Sequence, residues 1–141
     1  MYAAIGHGHF GVKVHRIRNG GADWEEVTTP AYPQRPADHE PQRCPVRGIE
    51  IPWNLEMIWA LEPGAEPGIV WCGRIPGGLF QTQDRGDSWS LVRSLWDEPA
   101  QRQWFGGGYD YPGIHSIFPD PRDRSRLTVG VSCGGGHDGR R

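Results

Sequence analysis

The chain has little of what several classes of protein require. Its three cysteines, Cys44, Cys72 and Cys133, are an odd number without metal-ligand spacing, which indicates free thiols and predicts no metal. It has no basic run and a formal net charge of −2, so no nucleic-acid partner is predicted. It lacks a signal peptide and any apolar run of membrane-spanning length. We therefore expect a soluble, cytoplasmic protein with no membrane partner and no cofactor.

Helical periodicity is also scarce. Only residues 94–102 could hold a turn or two of helix, and Pro99 limits that segment. Instead, 21 glycines and 13 prolines accompany seven Trp, four Tyr and four Phe among 141 residues. So many large apolar rings argue against a disordered chain. The composition predicts one domain of many short strands joined by turns.

The strand signals follow one another closely in the middle of the chain. Apolar or alternating runs occupy residues 55–61, 69–72, 78–82 and 89–92, with turn residues between them. Four consecutive antiparallel strands within about forty residues are the content of one β-propeller blade. The sequence thus predicts an all-β fold of antiparallel four-stranded blades.

The turn between the last two of these strands has a fixed pattern. It reads TQDRGDSW, with Thr82, Asp84, Gly86, Ser88 and Trp89 at the positions that matter. An Asp carboxylate can accept hydrogen bonds from the backbone of its own turn, and glycine tolerates the positive φ of a tight bend. The pattern predicts a self-capped turn with the Trp anchored beneath it.

A degenerate version of this pattern precedes it in the chain. Asn19 stands in the place of the Asp, Gly21 in that of the Gly, and Trp24 in that of the Trp. We therefore divide the chain into six consecutive parts. They are the end of one blade (1–29), a Pro-rich loop (30–52), a complete blade (53–94), an inter-blade loop rich in Gly and aromatics (95–113), the first half of a further blade (114–135) and an atypical tail (136–141).

The turn motif resembles the Asp-box, or bacterial neuraminidase repeat, of sialidase-like β-propellers. The segment WFGGGYDYPGIHSIFPDPRD at 104–123 resembles bacterial glycosyl-hydrolase-like repeat proteins of the same kind. The resemblance covers residues 1–135 and implies a fragment with an incomplete ring. It also implies that the Asp-box lies at the outer rim of one face, away from substrates, which bind at the centre of the opposite face.

Residues on the loops predicted for that opposite face are the candidates for binding. His7 and His9 are ligand contacts, a metal pair or plain surface residues, and Arg74 either binds a carboxylate or tethers a loop to a strand. Trp104 and Tyr109 either present rings to a sugar or fill the gap between blades. Only two nearby side chains have useful acid–base chemistry, Asp110 and His115, and neither has an evident partner.

Two functions follow from the resemblance, and neither is decided by these residues. One is a glycoside hydrolase of the sialidase type, of which this chain is a catalytically incomplete part, since the arginines and carboxylates that such enzymes need cannot be assigned here. The other is a non-catalytic propeller that binds a glycan or a protein, as sortilin-like and assembly-factor-like proteins do. The expected partners are a carbohydrate, a protein or the missing blades.

Overall fold

The chain folds into antiparallel β-sheets, which confirms the all-β prediction. The structure is a computed structural model that describes residues 1–18, 20–133 and 136–140. Asn19, predicted to belong to the degenerate turn, lies outside the described residues. Within the described part of the chain, no helix has the length and apolarity needed to span a membrane.

The described residues form ten strands joined by turns and loops. Their bounds are β1 Tyr2–His7, β2 Gly11–Arg16, β3 Glu25–Val27, β4 Met57–Pro63, β5 Val70–Ile75, β6 Leu79–Thr82, β7 Ser90–Leu91, β8 Ile114–Pro119, β9 Arg126–Val131 and β10 Gly136–Arg140. In the part of the chain that the structure describes, helical structure is limited to one turn, α1 Arg93–Trp96, and a 3-10 turn, Pro99–Gln103. Both overlap the segment 94–102, where the sequence allowed a turn or two of helix.

The strands form three separate sheets in chain order. The first sheet is β1-β2-β3, the second β4-β5-β6-β7 and the third β8-β9-β10, and every neighbouring pair is antiparallel. The second sheet contacts the first through β1 and β4, and the third through β4, β5 and β8. None of the three sheets closes on itself within the described residues.

The second sheet is central because its strand β5 is buried on both faces. A continuous apolar run of this kind is typical of a strand covered on either side. Trp71 and Leu79 pack with Ile114 and Val129 of the third sheet in the main hydrophobic core. Gly73 has no room for a side chain, because a Cβ there would lie 2.6 Å from the Ile114 carbonyl oxygen. The opposite face of β5 carries Cys72 and Arg74.

The TQDRGDSW turn joins β6 to β7 and caps itself. The Asp84 carboxylate accepts hydrogen bonds from the Ser88 backbone N–H at 2.8 Å and from the Ser88 hydroxyl. Gly86 has φ +95°, which a residue with a side chain rarely adopts. Trp89 is half-buried, and its indole N–H donates to the Thr28 carbonyl oxygen at 2.8 Å. The predicted capped turn and its anchored Trp are thus present.

The degenerate turn differs from it in its aromatic residue. It joins β2 to β3, the last strand of the first sheet, just as the TQDRGDSW turn joins β6 to the last strand of the second sheet. The Gly21 backbone N–H donates to the Arg18 carbonyl oxygen at 2.9 Å. Trp24 is 45% exposed, so it does not anchor its turn as Trp89 does.

The third sheet also differs from the sequence prediction, because residues 136–140 of the expected tail form β10 and pair with β9. No alternation of apolar residues marks this strand, and its backbone pairing alone places it.

The Pro-rich loop is ordered against the second sheet. Its residues 43 and 50 form an isolated antiparallel bridge, and the Cys44 backbone N–H donates to the Ile49 carbonyl oxygen at 2.9 Å. Pro30, Cys44 and Ile51 are buried, so the loop covers part of the protein interior. The loop, which connects the first sheet to the second along the chain, therefore places its side chains at one end of the second sheet.

Candidate functional site

The two ends of the second sheet are chemically different. The β4–β5 and β6–β7 turns lie at one end, the box end, where Arg85 donates from its backbone to the Gly68 carbonyl oxygen at 3.0 Å. The β5–β6 turn at residues 76–78 lies at the other end, together with the start of β4 and the chain that follows β7. We call this second end, opposite to the TQDRGDSW turn, the groove end.

A groove lies at the groove end between the Pro-rich loop and the segment that follows β7. Its two adjoining parts have volumes of about 340 and 550 Å³ and share Pro36, His39, Gln42 and Arg102. The first part is also lined by Trp53 and Trp96 and by the charged residues Arg93, Asp97 and Glu98. We call this the aromatic groove. It has the mixture of rings and a few polar groups that ligand sites commonly show.

Aromatic rings form a connected wall in the groove. The His39 and Trp53 rings have centroids 4.9 Å apart, and Trp53 and Trp96 lie 5.4 Å apart at 80°. Tyr32 continues the series at 5.1 Å from Trp96. Such tilted and edge-on arrangements are favourable between aromatic rings. Each ring therefore helps to hold its neighbour in a fixed orientation.

The 3-10 turn and the β5–β6 turn support the groove from beneath. Gln101 is 5% exposed, and its side-chain N–H donates to the Gly77 carbonyl oxygen at 2.6 Å. Gly77 lies against the Trp104 ring, whose atoms would be 3.1 Å from a Cβ at that position. The backbone between β5 and β6 is thus fixed on one side by residues of the segment after β7.

Tyr32 is fixed on the other side by the same turn. Its hydroxyl donates to the Pro76 carbonyl oxygen and accepts from the Gly78 backbone N–H at 3.1 Å. A Cβ on Gly78 would lie 2.6 Å from that hydroxyl, so glycine is needed there. Burial raises the pKa of Tyr32, which therefore stays neutral at physiological pH.

Arg74 lies beneath Tyr32 and is sealed from solvent. Its guanidinium carbon is 4.4 Å from the ring centres of both Tyr32 and Phe80, and the side chain is fully buried. Burial lowers its pKa, and none of its side-chain N–H groups has a hydrogen-bond partner among the described residues. The cation is held by the two rings instead. Arg74 therefore links β5 to the Pro-rich loop, and a ligand carboxylate cannot reach its guanidinium.

Burial also affects a neighbouring thiol. Cys72 is on the same face of β5 as Arg74, and burial raises its pKa to about 12. A thiol with such a pKa is protonated and a poor nucleophile. It contributes to packing rather than to chemistry at this end of the sheet.

The other predicted site residues do not form one site. His7 accepts hydrogen bonds at Nδ1 from the His9 and Phe10 backbone N–H groups, both at 3.3 Å, so it caps its own hairpin turn. His9 is exposed and stacks edge-on against Phe10 at 5.0 Å. No cluster of His, Cys, Asp or Glu suited to a metal ion occurs among the described residues.

The aromatic candidates divide between core and surface. Trp104 is 5% exposed and belongs to the hydrophobic core between the second and third sheets. Of the two alternatives for this residue, it therefore fills the gap between sheets. Tyr109 is 37% exposed, and its ring lies 6.3 Å from that of Tyr111. Only Tyr109 of these two could present a ring to a ligand.

The two acid–base candidates have partners that the sequence did not reveal. Asp110 pairs with Arg47 of the Pro-rich loop. His115 Nδ1 is 2.7 Å from the Ser116 hydroxyl, and its ring meets Trp59 edge-on at 5.8 Å. None of the site residues predicted from the sequence lines the aromatic groove.

No protein-family model matches the chain, and no curated protein matches it. The function must therefore be inferred from the chain's own residues and from the groove that they form.

Proposed function

We propose that the chain is part of a sialidase-like β-propeller with Asp-box repeats, and that it binds carbohydrate in the aromatic groove without completing a catalytic site. The observation that carries the proposal is the position of the groove. Its Trp53 and Trp96 lie at the end of the second sheet opposite to the Asp84 turn. In the family that the sequence resembles, ligands bind on that face.

The shape of the fold agrees with this proposal. Three antiparallel sheets follow one another along the chain, and the second packs face to face with the third through Gly73 and Ile114. Sheets stacked in chain order are what consecutive blades of a propeller would give. The turn that carries Asp84 lies between the third and fourth strands of its sheet, as the Asp-box does in such blades.

Two carboxylates of the groove, those of Asp97 and Glu98, favour binding over hydrolysis. Asp97 accepts from the Arg93 guanidinium at 2.9 Å, and the Glu98 side chain caps the 3-10 turn at the Ala100 backbone N–H. A glycosidase needs one carboxyl as acid and a second as base or nucleophile across the bond. Carboxylates engaged in holding their own segment favour the second candidate function, a non-catalytic propeller that binds a glycan or a protein.

A glycan array and a hydrolysis assay together test the proposal. The whole 141-residue chain, labelled with a fluorophore, is applied to immobilised glycans, and release from a fluorogenic sialoside is followed in parallel. We expect retention on a subset of glycans and no turnover above the buffer control. A chain that binds no glycan contradicts carbohydrate binding, and turnover that is lost in Asp97→Asn or Glu98→Gln contradicts the non-catalytic assignment.

A further inference from the structure

A positive charge without hydrogen bonds is buried beneath the Pro-rich loop. The Arg74 side chain is fully buried, and none of its three guanidinium nitrogens has a hydrogen-bond partner among the described residues. A guanidinium stays protonated in a protein, so Arg74 cannot lose its charge as a buried lysine can. Burying a cation without hydrogen bonds is costly, and contact with water or with another acceptor relieves that cost.

Two aromatic rings offset part of this cost. The guanidinium carbon lies 4.4 Å from the ring centres of Tyr32 and Phe80, and such contacts are favourable for a cation. Water, however, would accept a hydrogen bond from every N–H group of the guanidinium, and the faces of two rings do not replace those bonds. The covered position of Arg74 is therefore less stable than it would be with an uncharged side chain of the same size.

Tyr32 is the residue of the Pro-rich loop that covers Arg74. Its hydroxyl donates to the Pro76 carbonyl oxygen and accepts from the Gly78 backbone N–H, and its ring lies 5.1 Å from that of Trp96. These contacts hold the loop against the β5–β6 turn and against the segment that follows β7. Movement of Tyr32 away from the turn would uncover one face of the guanidinium.

The loop has the bonding of a unit that can open by itself. Within it, the Cys44 backbone N–H donates to the Ile49 carbonyl oxygen at 2.9 Å. Besides Tyr32, the Arg47 side chain also binds outside the loop, through an exposed ion pair with Asp110 that water and salt weaken. Segments with internal bonds and few bonds to their surroundings open separately from the rest of a fold.

The same loop forms one wall of the aromatic groove. Pro36 and His39 of the loop line the groove together with Trp96 of the segment that follows β7. The groove therefore keeps its shape only while the loop lies against that segment. Loops that open and close over a binding site control the entry and release of ligands.

From these contacts we infer that the Pro-rich loop is a lid of the aromatic groove, which opens when Tyr32 leaves the β5–β6 turn, and that the buried Arg74 charge favours the open position. Opening returns the guanidinium to water, and closing removes it from water again, so the charge lowers the free energy needed to open the lid. The inference goes beyond the proposed function, because such a lid controls entry to the groove whichever ligand binds there.

Hydrogen exchange of the Gly78 amide reports the opening, because this N–H donates to the Tyr32 hydroxyl. Exchange is followed by NMR in the whole chain, at concentrations that light scattering shows to be free of aggregates. The amides of β9 report unfolding of the whole chain. A lid exposes little surface, so we expect Gly78 to exchange faster than β9 and to depend only weakly on low concentrations of urea, whereas β9 exchange rises steeply.

Two neutral variants test the role of the charge. Arg74→Met and Arg74→Leu remove the charge and keep an apolar side chain, so both should slow Gly78 exchange tenfold or more and raise the urea midpoint of unfolding. Their different shapes separate the loss of charge from changes in packing. Arg102→Met is the matched control, because Arg102 is an exposed arginine of the groove, and its loss should leave Gly78 exchange unchanged.

Two kinds of result would overturn the inference. Equal rates and equal urea dependences for Gly78 and β9 would show that the loop opens only when the whole chain unfolds. Unchanged or faster Gly78 exchange in both neutral variants, or a lower urea midpoint in both, would show that the Arg74 charge does not favour the open position. All measurements are made without a ligand, so they test the lid independently of the glycan array that tests the proposed function.

Discussion

Thr82 is the buried centre of the TQDRGDSW turn. Its hydroxyl accepts from the Gly86 backbone N–H at 2.8 Å and from the Asp84 backbone N–H at 3.3 Å, and it donates to the Asp84 carboxylate at 2.7 Å. Thr82 is 1% exposed, while Asp84 lies at the surface. Within the turn, the buried Thr82 hydroxyl thus orders the backbone, and the exposed Asp84 carboxylate binds Ser88 and closes the loop.

Replacing this hydroxyl should destabilise the fold. Thr82→Val keeps the shape of the side chain but leaves the buried Gly86 N–H without its acceptor, so the free energy of unfolding should fall by about 1–3 kcal/mol. Urea unfolding followed by tryptophan fluorescence measures the change. Thr82→Ser keeps the hydroxyl and serves as the control. An unchanged midpoint in Thr82→Val would show that the hydroxyl does not order the turn.

The Asp84 carboxylate should make stability depend on pH in the acid range. Hydrogen bonds from Ser88 and from Thr82 lower its pKa to about 2, from an ordinary value near 4. A carboxyl with a lowered pKa contributes stability above its unfolded value, and that contribution is lost as the pH falls from about 4 to about 2. Glu25 and Glu26, whose pKa values are lowered by Arg16, Arg18 and Lys13, add to the same trend.

The variant Asp84→Asn measures how much of the pH dependence of stability comes from the Asp84 carboxylate. Urea midpoints measured from pH 5 to pH 2 should fall less steeply in the variant than in the wild type, because its side chain does not titrate. Parallel slopes in the two proteins would mean that Asp84 is not stabilised by its turn. Glu26→Gln, which removes a carboxylate on the first sheet, shows how much of the remaining slope comes from other groups.

At the scale of elements, the TQDRGDSW turn connects two sheets through its contacts. The Arg85 carbonyl oxygen accepts from the Tyr2 hydroxyl at 3.1 Å and from the Arg16 guanidinium at 2.7 Å, and Asp87 pairs with the same guanidinium at 2.9 Å. Tyr2 and Arg16 belong to β1 and β2 of the first sheet. The turn that caps β6 and β7 is therefore also the element on which the preceding sheet docks.

Arg16 is the residue whose loss should loosen this contact. It is 5% exposed, so Arg16→Met keeps the apolar volume but leaves the Arg85 carbonyl oxygen short of a donor, at a cost of about 1–3 kcal/mol. Hydrogen exchange of the β2 amides should accelerate more than that of the β5 amides. Arg18→Met is the control, because Arg18 shares Glu25 with Arg16 but is exposed. Equal exchange in the two variants would exclude docking through Arg16.

The sequence predicted the elements better than it predicted their contacts. The alternation of residues 55–92 and the spacing around Asp84 are local, so strands and capped turn could be inferred without knowing the fold. The aromatic groove could not, because His39, Trp53 and Trp96 come from irregular segments whose meeting depends on the course of the Pro-rich loop. Arg74 was recognised as a candidate, but its enclosure by Tyr32, a residue of that same loop, has no sequence signal.

At the scale of the whole molecule, the outer sheets are covered on one face only. Ile117 and Val129 of the third sheet pair across β8 and β9 and pack into the core, while Phe118, which follows Ile117 and points to the other face, is 61% exposed. The first sheet similarly leaves Ile5 50% exposed on β1. In the proposed propeller, neighbouring blades would cover these faces. Alone, the chain presents apolar side chains on sheet surfaces, which favours association between copies.

We therefore expect the chain to associate in solution through the uncovered face of the third sheet. Light scattering coupled to size exclusion should give a mass above that of one chain, rising with protein concentration. Phe118→Thr should shift the mass towards the monomer, because threonine suits a strand but removes the exposed ring. Val46→Thr, a change at a 65% exposed residue of the Pro-rich loop, should leave it unchanged. A wild type that stays monomeric at all concentrations would show that no further sheet is needed to cover this face. That result would count against the proposed propeller, in which a neighbouring blade covers it.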